Sequence, residues 1–275
     1  MPSVNTNAGA LVALQNLNAT NKQLAEVQNR INTGLKVNGP QDDAAVYAIA
    51  QNLRSNLAGL GAVKSSLDRA VSTVDVAIAG GQAVSDLLTQ MKAKAVAAAD
   101  PGQDAASRTA LQNDFNALRD QIKTITDNAE FNGVNLLKSG GSDVTAIVND
   151  TGTKTITISA QNLSLSAGSV LSITAGTTFT TATEAAAVVS AITASLTAVN
   201  ASLAKLGTGA QSLAAQRTFA DKLSDAIEVG ISNLVDADLA KESARLQSLQ
   251  VKQQLGIQAL SIANQAPNVL LALFR

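Results

Sequence analysis

The chain predicts a mainly α fold: a long antiparallel helical rod or coiled coil built from both chain ends, with a small β-hairpin insertion. Three observations carry this. Apolar residues recur in alternating steps of three and four over both ends of the chain, which places them on one helical face. Proline occurs only at 2, 40, 101 and 267, so long stretches hold no helix breaker. Between 139 and 185, 18 of 47 residues are Ser or Thr and only four are charged, and short segments alternate with period two.

The first helical pattern covers about 5–35, with Leu14, Leu17, Asn21, Leu24, Gln28, Ile31 and Leu35 in step. Its polar face is rich in Asn and Gln, which fill 11 of the first 40 residues against four charged ones. Asn is a poor helix former, so this helix depends on packing for its stability. Asn38-Gly39-Pro40 interrupts it. The second pattern, 42–99, carries Leu53, Leu57, Leu60, Lys64, Leu67, Val71, Val74 and Ile78. A helix of that span is roughly 87 Å long, too long for a compact domain. Asp100-Pro101-Gly102 ends it. A third helix, with Leu111, Phe115, Leu118, Ile122, Ile125 and Ala129 on one face, is expected to return antiparallel, because its connection is short.

Asn132-Gly133 then signals a tight turn. Thr155–Ser159 and Leu171–Thr174 alternate, so the 139–185 segment reads as strands and hairpins of a small exposed insertion. The last pattern is the longest, from Ile192 through Val199, Leu206, Leu213 and Ala220 to Leu234. It continues with Leu246, Leu249, Gln253, Gly256, Leu260 and Ala263. Beside this runs a second stripe, Val251, Leu255, Gln258 and Ile262. Two apolar stripes on one helix call for neighbours on two sides. One partner helix covers one; other copies of the chain could cover the other. The terminal helices are therefore expected to pair, ragged in a free monomer and ordered in an assembly.

Composition narrows the function. Hydrophobic residues make up 46% but aromatic ones only 2%, so Ala and Leu do the packing, as in long helices. A net charge of −1 makes no electrostatic case for nucleic acid or an anionic membrane. No uninterrupted apolar run reaches 18 residues, so no membrane-spanning helix is expected, and the start lacks the basic and apolar regions of a cleaved signal peptide. Histidine is absent, which removes the commonest general base and metal ligand, and without cysteine there is no disulfide framework or thiolate metal site.

Ser202-Leu203-Ala204-Lys205 matches S-x-x-K, but no Ser-Asp-Asn or Lys-Thr-Gly partner exists. Gly59-Leu60-Gly61 and Gly207-Thr208-Gly209 complete no phosphate-binding motif; they suit close helix packing. Asp42-Asp43 and Asp236/Asp238 lie at helix breaks, where carboxylates cap free N–H groups. No cofactor is expected.

Several segments resemble bacterial flagellin. Val4-Asn5-Thr6-Asn7 is similar to the family's start. Asn32-Thr33-Gly34-Leu35-Lys36-Val37-Asn38 followed by Asp42-Asp43-Ala44-Ala45 resembles its signature S-x-G-L-R-I-N-x-x-x-D-D-A-A, with Leu35, Asn38, Asp42 and Asp43 as marker residues. Phe131-Asn132-Gly133-Val134-Asn135-Leu136-Leu137 looks like F-N-G-x-x-L-L. Asp236-Ala237-Asp238, Ala263-Asn264-Gln265-Ala266-Pro267 and Leu273-Phe274-Arg275 resemble the C-terminal segment, Phe274 standing where leucine is usual.

The resemblance implies an inner-tube domain from 1–40 and 236–275 and a helical rod from 41–235, including the 139–185 insertion, with the large outer domains of the family missing. It implies an extracellular filament subunit for motility, exported unfolded by a type III apparatus without a cleaved signal. The implied partners are further copies of itself, an export chaperone, and cap and junction proteins. A hook–filament junction protein is the alternative; a filament protein with a zinc-protease H-E-x-x-H would need histidine. Leu17, Leu24, Ile31, Leu246, Leu249 and Leu260 are the expected assembly seam. The family's patch for an animal innate receptor, like L-Q-R-V-R-E-L-A-V, corresponds to Leu88–Val96 here, with Gln90, Lys92, Ala93 and Lys94 at the altered positions.

Overall fold

Residues 6–272 are described in the computed structural model of the chain, with side chains to Gln265. The family-like start at Val4-Asn5 and end at Leu273-Phe274-Arg275 lie outside the described residues. Five helices dominate, as the apolar stripes demand: α1 (Ala8–Thr33), α2 (Ala44–Ala98), α3 (Ala105–Asn128), α4 (Ala182–Val235) and α5 (Leu239–Ala272). Four short strands, β1 (Glu130–Phe131), β2 (Val134–Asn135), β3 (Val144–Ile147) and β4 (Thr155–Ile158), form two antiparallel hairpins. The chain divides into two compact units, one joining residues up to Ser55 with those from Ala226 onward, the other running from Asn56 to Asp225.

In the terminal unit α1 and α5 run antiparallel. Asn7 Nδ2 donates to the Ala263 carbonyl at 2.6 Å, Gln253 Nε2 donates to Asn21 Oδ1 at 2.8 Å, and Arg30 meets Glu242 at 3.4 Å. The inward face of α1 is Ala10, Ala13, Leu17, Thr20, Leu24, Val27 and Ile31. This corrects the expected stripe, because Leu14, Asn21 and Gln28 are exposed. Leu17, Leu24 and Ile31 belong to both patterns; the intervening inward positions sit one residue earlier, at Ala13, Thr20 and Val27. Small inward residues let the helices approach closely: a Cβ on Gly256 would lie 3.2 Å from Leu17 Cδ1. Gly34, in the left-handed region at φ 73°, ends α1 and donates its N–H to the Arg30 carbonyl.

The other unit packs α2 between two antiparallel neighbours. Lys94 pairs with Asp114 of α3 at 2.6 Å, and Lys64 pairs with Asp221 of α4 at 2.9 Å. Gly80 and Gly81 mark close approaches along α2, where an added Cβ would lie 2.8 Å from Leu137 and from Leu203 respectively. The core runs along Leu67, Val74, Leu88 and Met91 of α2, Phe115 and Ile122 of α3, and Ile192, Val199, Leu206 and Leu213 of α4. Arg108 closes the end of α2 by donating to the carbonyls of Ala98, Asp100 and Gln103, and Asp104 caps α3 through the Ser107 amide.

Asn132 and Gly133, both with positive φ, make the two-residue turn of β1–β2. The following Asn135 is buried and fully used. Its Nδ2 donates to the carbonyls of Thr126 and Asp127, and its Oδ1 accepts from the amides of Leu137 and Lys138. That ties the end of α3 to the chain that drops Leu136 and Leu137 into the core.

Two expectations about 139–185 are corrected. Leu171–Thr174 alternates inside and outside as read, yet it pairs with no strand: the Ser172 amide donates to Ser195 Oγ of α4 at 2.8 Å. Nor is the segment merely an exposed appendage. Leu163, Leu165, Leu171, Ile173 and Phe179 all enter the main core, and Phe179 meets Phe115 edge to face at 5.3 Å. A third correction concerns α4, which is long and apolar enough by length and composition to cross a membrane. Isolated Ser, Thr and Asn break its apolar runs without cancelling its average; Ile192, Val199, Leu206 and Leu213 lie in the core, while Phe219 is 58% exposed.

Candidate assembly surface

The signature segment is a built junction within the terminal unit. Leu35 bridges Asp236 as an isolated antiparallel pair. The amides of Lys36 and Val37 donate to the Val235 carbonyl, and the Ala237 amide donates to the Gly34 carbonyl at 2.8 Å. Val37, Ala50 and Val235 bury beneath this strap, flanked by Leu35, Val46, Tyr47, Ile231 and Leu234.

The acidic marker residues have local roles. Asp42 Oδ2 accepts from the amides of Asn38 and Gly39. Asp43 Oδ1 accepts from Ala45 and Val46 at the start of α2, and Asp238 Oδ1 accepts from Ala240 and Lys241 at the start of α5. These carboxylates hold backbone turns and helix ends. No group of His, Cys, Asp or Glu suited to a metal occurs among the described residues.

The six expected seam residues lie on the α1–α5 contact inside one chain. Leu249 is buried, and Leu17, Leu24, Ile31, Leu246 and Leu260 are half-buried. What they leave uncovered lies on the outer faces of the same helices. Val251 is 56% exposed, Leu255 58% and Ile262 69%. On α1, Leu11, Val12 and Leu14 are open too. The α5 group is the second stripe read in the sequence. Leu11 and Val12 were not foreseen, because their step of one fits no single helical face.

The remaining candidates separate clearly. Gln90 and Ala93 are exposed on α2, while Lys92 and Lys94 are half-buried, Lys94 being held by Asp114. Ser202 is buried within α4, and the two Gly-x-Gly pairs lie inside helices. Asp104 titrates below its ordinary range, chiefly because the Ser107 amide donates to its carboxylate; Glu184 is lowered likewise by the Thr180 amide. Both are helix-start carboxylates, not a reactive pair.

Comparison with known proteins agrees with this geometry. Residues 4–141 match the bacterial flagellin N-terminal helical region and residues 189–274 the bacterial flagellin C-terminal helical region. Flagellin FljK of Caulobacter vibrioides is 48% identical over 99% of this chain and 98% of its own length. A flagellin of Brucella melitensis is 35% identical over the whole of both chains. Among solved structures, Bacillus cereus flagellin superposes with a TM-score of 0.50 at 22% identity, covering 56% of this chain and 88% of its own. A Vibrio parahaemolyticus protein described as flagellar hook-associated reaches 0.56 at 14% identity, covering 71% of this chain and all of its own. At such low identities these two structures speak to the fold alone. With both terminal regions matched, and relatives alike from end to end, the chain belongs to the bacterial flagellin family of filament structural subunits.

Proposed function

We propose that this chain polymerises through the outer faces of its α1–α5 pair, and that residues 1–40 and 236–275 build the inner tube of the filament. One observation carries the reading: after α1 and α5 have covered each other, Val251, Leu255 and Ile262 still stand open on α5. Exposed aliphatic side chains in a row of this kind mark an interaction surface. Leu17, Leu24, Ile31, Leu246, Leu249 and Leu260 then act indirectly, holding the pair together so that the open stripe is presented. Residues 41–235 form the helical rod domain, with the 139–185 segment as part of its packing.

We further propose, with family membership as the support, that the chain is exported before assembly and that it meets an export chaperone and cap and junction proteins. No catalytic role is assigned: Asp42, Asp43 and Asp238 are committed to backbone amides. The hook–filament junction reading has no observation in its favour. The test is seeded elongation: purified chain added to short filament fragments should lengthen them into tubes by negative-stain microscopy. Stable monomer that never lengthens seeds would overturn the reading.

A further inference from the structure

The paired terminal helices each leave a back face open, and the two backs are unlike. On α1, Leu11, Leu14, Gln15, Asn18, Ala19 and Lys22 are exposed and line a shallow hollow of about 400 Å³. At about 3.6 residues per turn, the hollow centres roughly half a turn from Leu17 and Leu24, which meet α5. On α5, Val251, Leu255, Gln258 and Ile262 stand exposed as a ridge, again about half a turn from the inward Leu249, Gly256 and Leu260. Hollow and ridge share one spacing. Positions 11, 15, 18 and 22 step by four, three and four, and so do 262, 258, 255 and 251 taken in reverse, the sense in which antiparallel helices meet. They also stand level. Asn7 bonds to Ala263 and Asn21 to Gln253 across the pair, which sets 11–22 beside about 252–260. The ridge carries no charge; the hollow's one cation, Lys22, can lay its methylene stem on apolar surface and keep its ammonium in water.

A ridge laid on the same ridge of another copy uses both up in a closed pair. Unlike faces on opposite sides leave one of each free for the next copy, which is what an extending polymer needs. Resting on the filament reading above, we infer that the α5 ridge of one copy seats in the α1 hollow of its neighbour, Ile262 against Leu11, Gln258 against Gln15 and Leu255 against Asn18. The neighbour then lies beside the first with little shift along the helices. Ile262 and Leu11 cover each other, and the two Gln amides, each able to donate and accept, fix the register.

Site-directed cross-linking tests this cleanly, because the chain has no cysteine of its own. Leu11→Cys, Asn18→Cys, Leu255→Cys and Ile262→Cys each carry a single thiol, so any bridge joins two copies. Pairs of variants are diluted with wild-type chain, so that growth does not depend on the substitutions, and are grown on wild-type seeds. Sedimented polymer is treated with a short bis-maleimide, and bridged peptides are identified by mass spectrometry. The level pairs, L11C with I262C and N18C with L255C, should give dimers in polymer and none in unpolymerised mixtures. L255C or I262C polymerised without its counterpart should give none. Dimers from either of these alone would mean ridge on ridge and overturn the inference. Bridging confined to the displaced pair, L11C with L255C, or absent from sedimented polymer, would overturn it equally. Wild-type chain that never elongates seeds fells the filament reading and this inference with it; growth without the level bridges fells this inference alone.

Discussion

Replacing Val251, Leu255 and Ile262 together by alanine should weaken polymerisation without disturbing the monomer. Alanine is the best helix former, so α5 is not penalised, and none of the three lies on the face that meets α1. The truncations remove two, three and three carbons, from side chains that are 56%, 58% and 69% exposed. At ~0.8 kcal/mol per buried methylene, the surface still to be covered amounts to about 4 kcal/mol if the polymer buries all of it and about 2 kcal/mol if it buries half. At a factor of ten per 1.4 kcal/mol, the critical concentration should rise roughly 30-fold to 700-fold. The assay is sedimentation of polymer grown from wild-type seeds over a range of monomer concentrations, with circular dichroism as the check on α5. Unchanged critical concentration in a normally helical triple variant would refute the claim that this stripe is an assembly surface.

Leu24→Asp or Leu260→Asp should block elongation through loss of the α1–α5 pairing, at a cost on the order of several kcal/mol; limited proteolysis should still return an intact 56–225 unit. Phe179→Ala should cost about 3–5 kcal/mol and lower the midpoint of that unit by roughly 6–20 °C. For the same reason, replacing Gly140–Thr177 by a short Gly-Ser turn should unfold the unit, not merely trim its surface, as scanning calorimetry would show. Asp104 has a folded-state pKa below its ordinary 3.8, so its cap is fully present above that value and is lost as pH falls through the lower folded value. The midpoint difference between wild type and Asp104→Ala should therefore shrink on acidification below about pH 4. The Gln90, Lys92, Ala93 and Lys94 patch should make depolymerised chain a poor ligand for the innate receptor, by about 30-fold or more relative to a flagellin with the arginine–glutamate patch, in a reporter-cell titration.

Much of the helical plan is local and so could be read directly. Leu111 through Ala129 marks the buried face of α3, and Ile192 through Leu234 tracks that of α4, because a helical period needs no partner to be visible. Asn132-Gly133 announces its turn through backbone sterics alone. The family motifs at 32–45 and 131–137 are legible for a related reason: Gly34 must take a left-handed φ, Asp43 must cap, and Asn135 must satisfy four backbone groups.

What the tertiary structure decided is which of two equally regular patterns faces a partner. Leu14, Leu17, Asn21 and Ala13, Leu17, Thr20 both step by three and four, and only the close approach of α5 at Gly256 selects the second. Period two at Leu171–Thr174 promised a strand, but alternation records which side is buried, not what buries it; there the partner is Ser195 on a helix. The Ser- and Thr-rich composition of 139–185 hid its core role, since a few aliphatic residues and Phe179 do the packing while polar neighbours face water. That the α1 hollow stands level with the α5 ridge could not be foreseen at all. Which residues of two helices lie side by side depends on groups 232 residues apart meeting at 2.8 Å, a distance that belongs to packing and has no trace in local sequence.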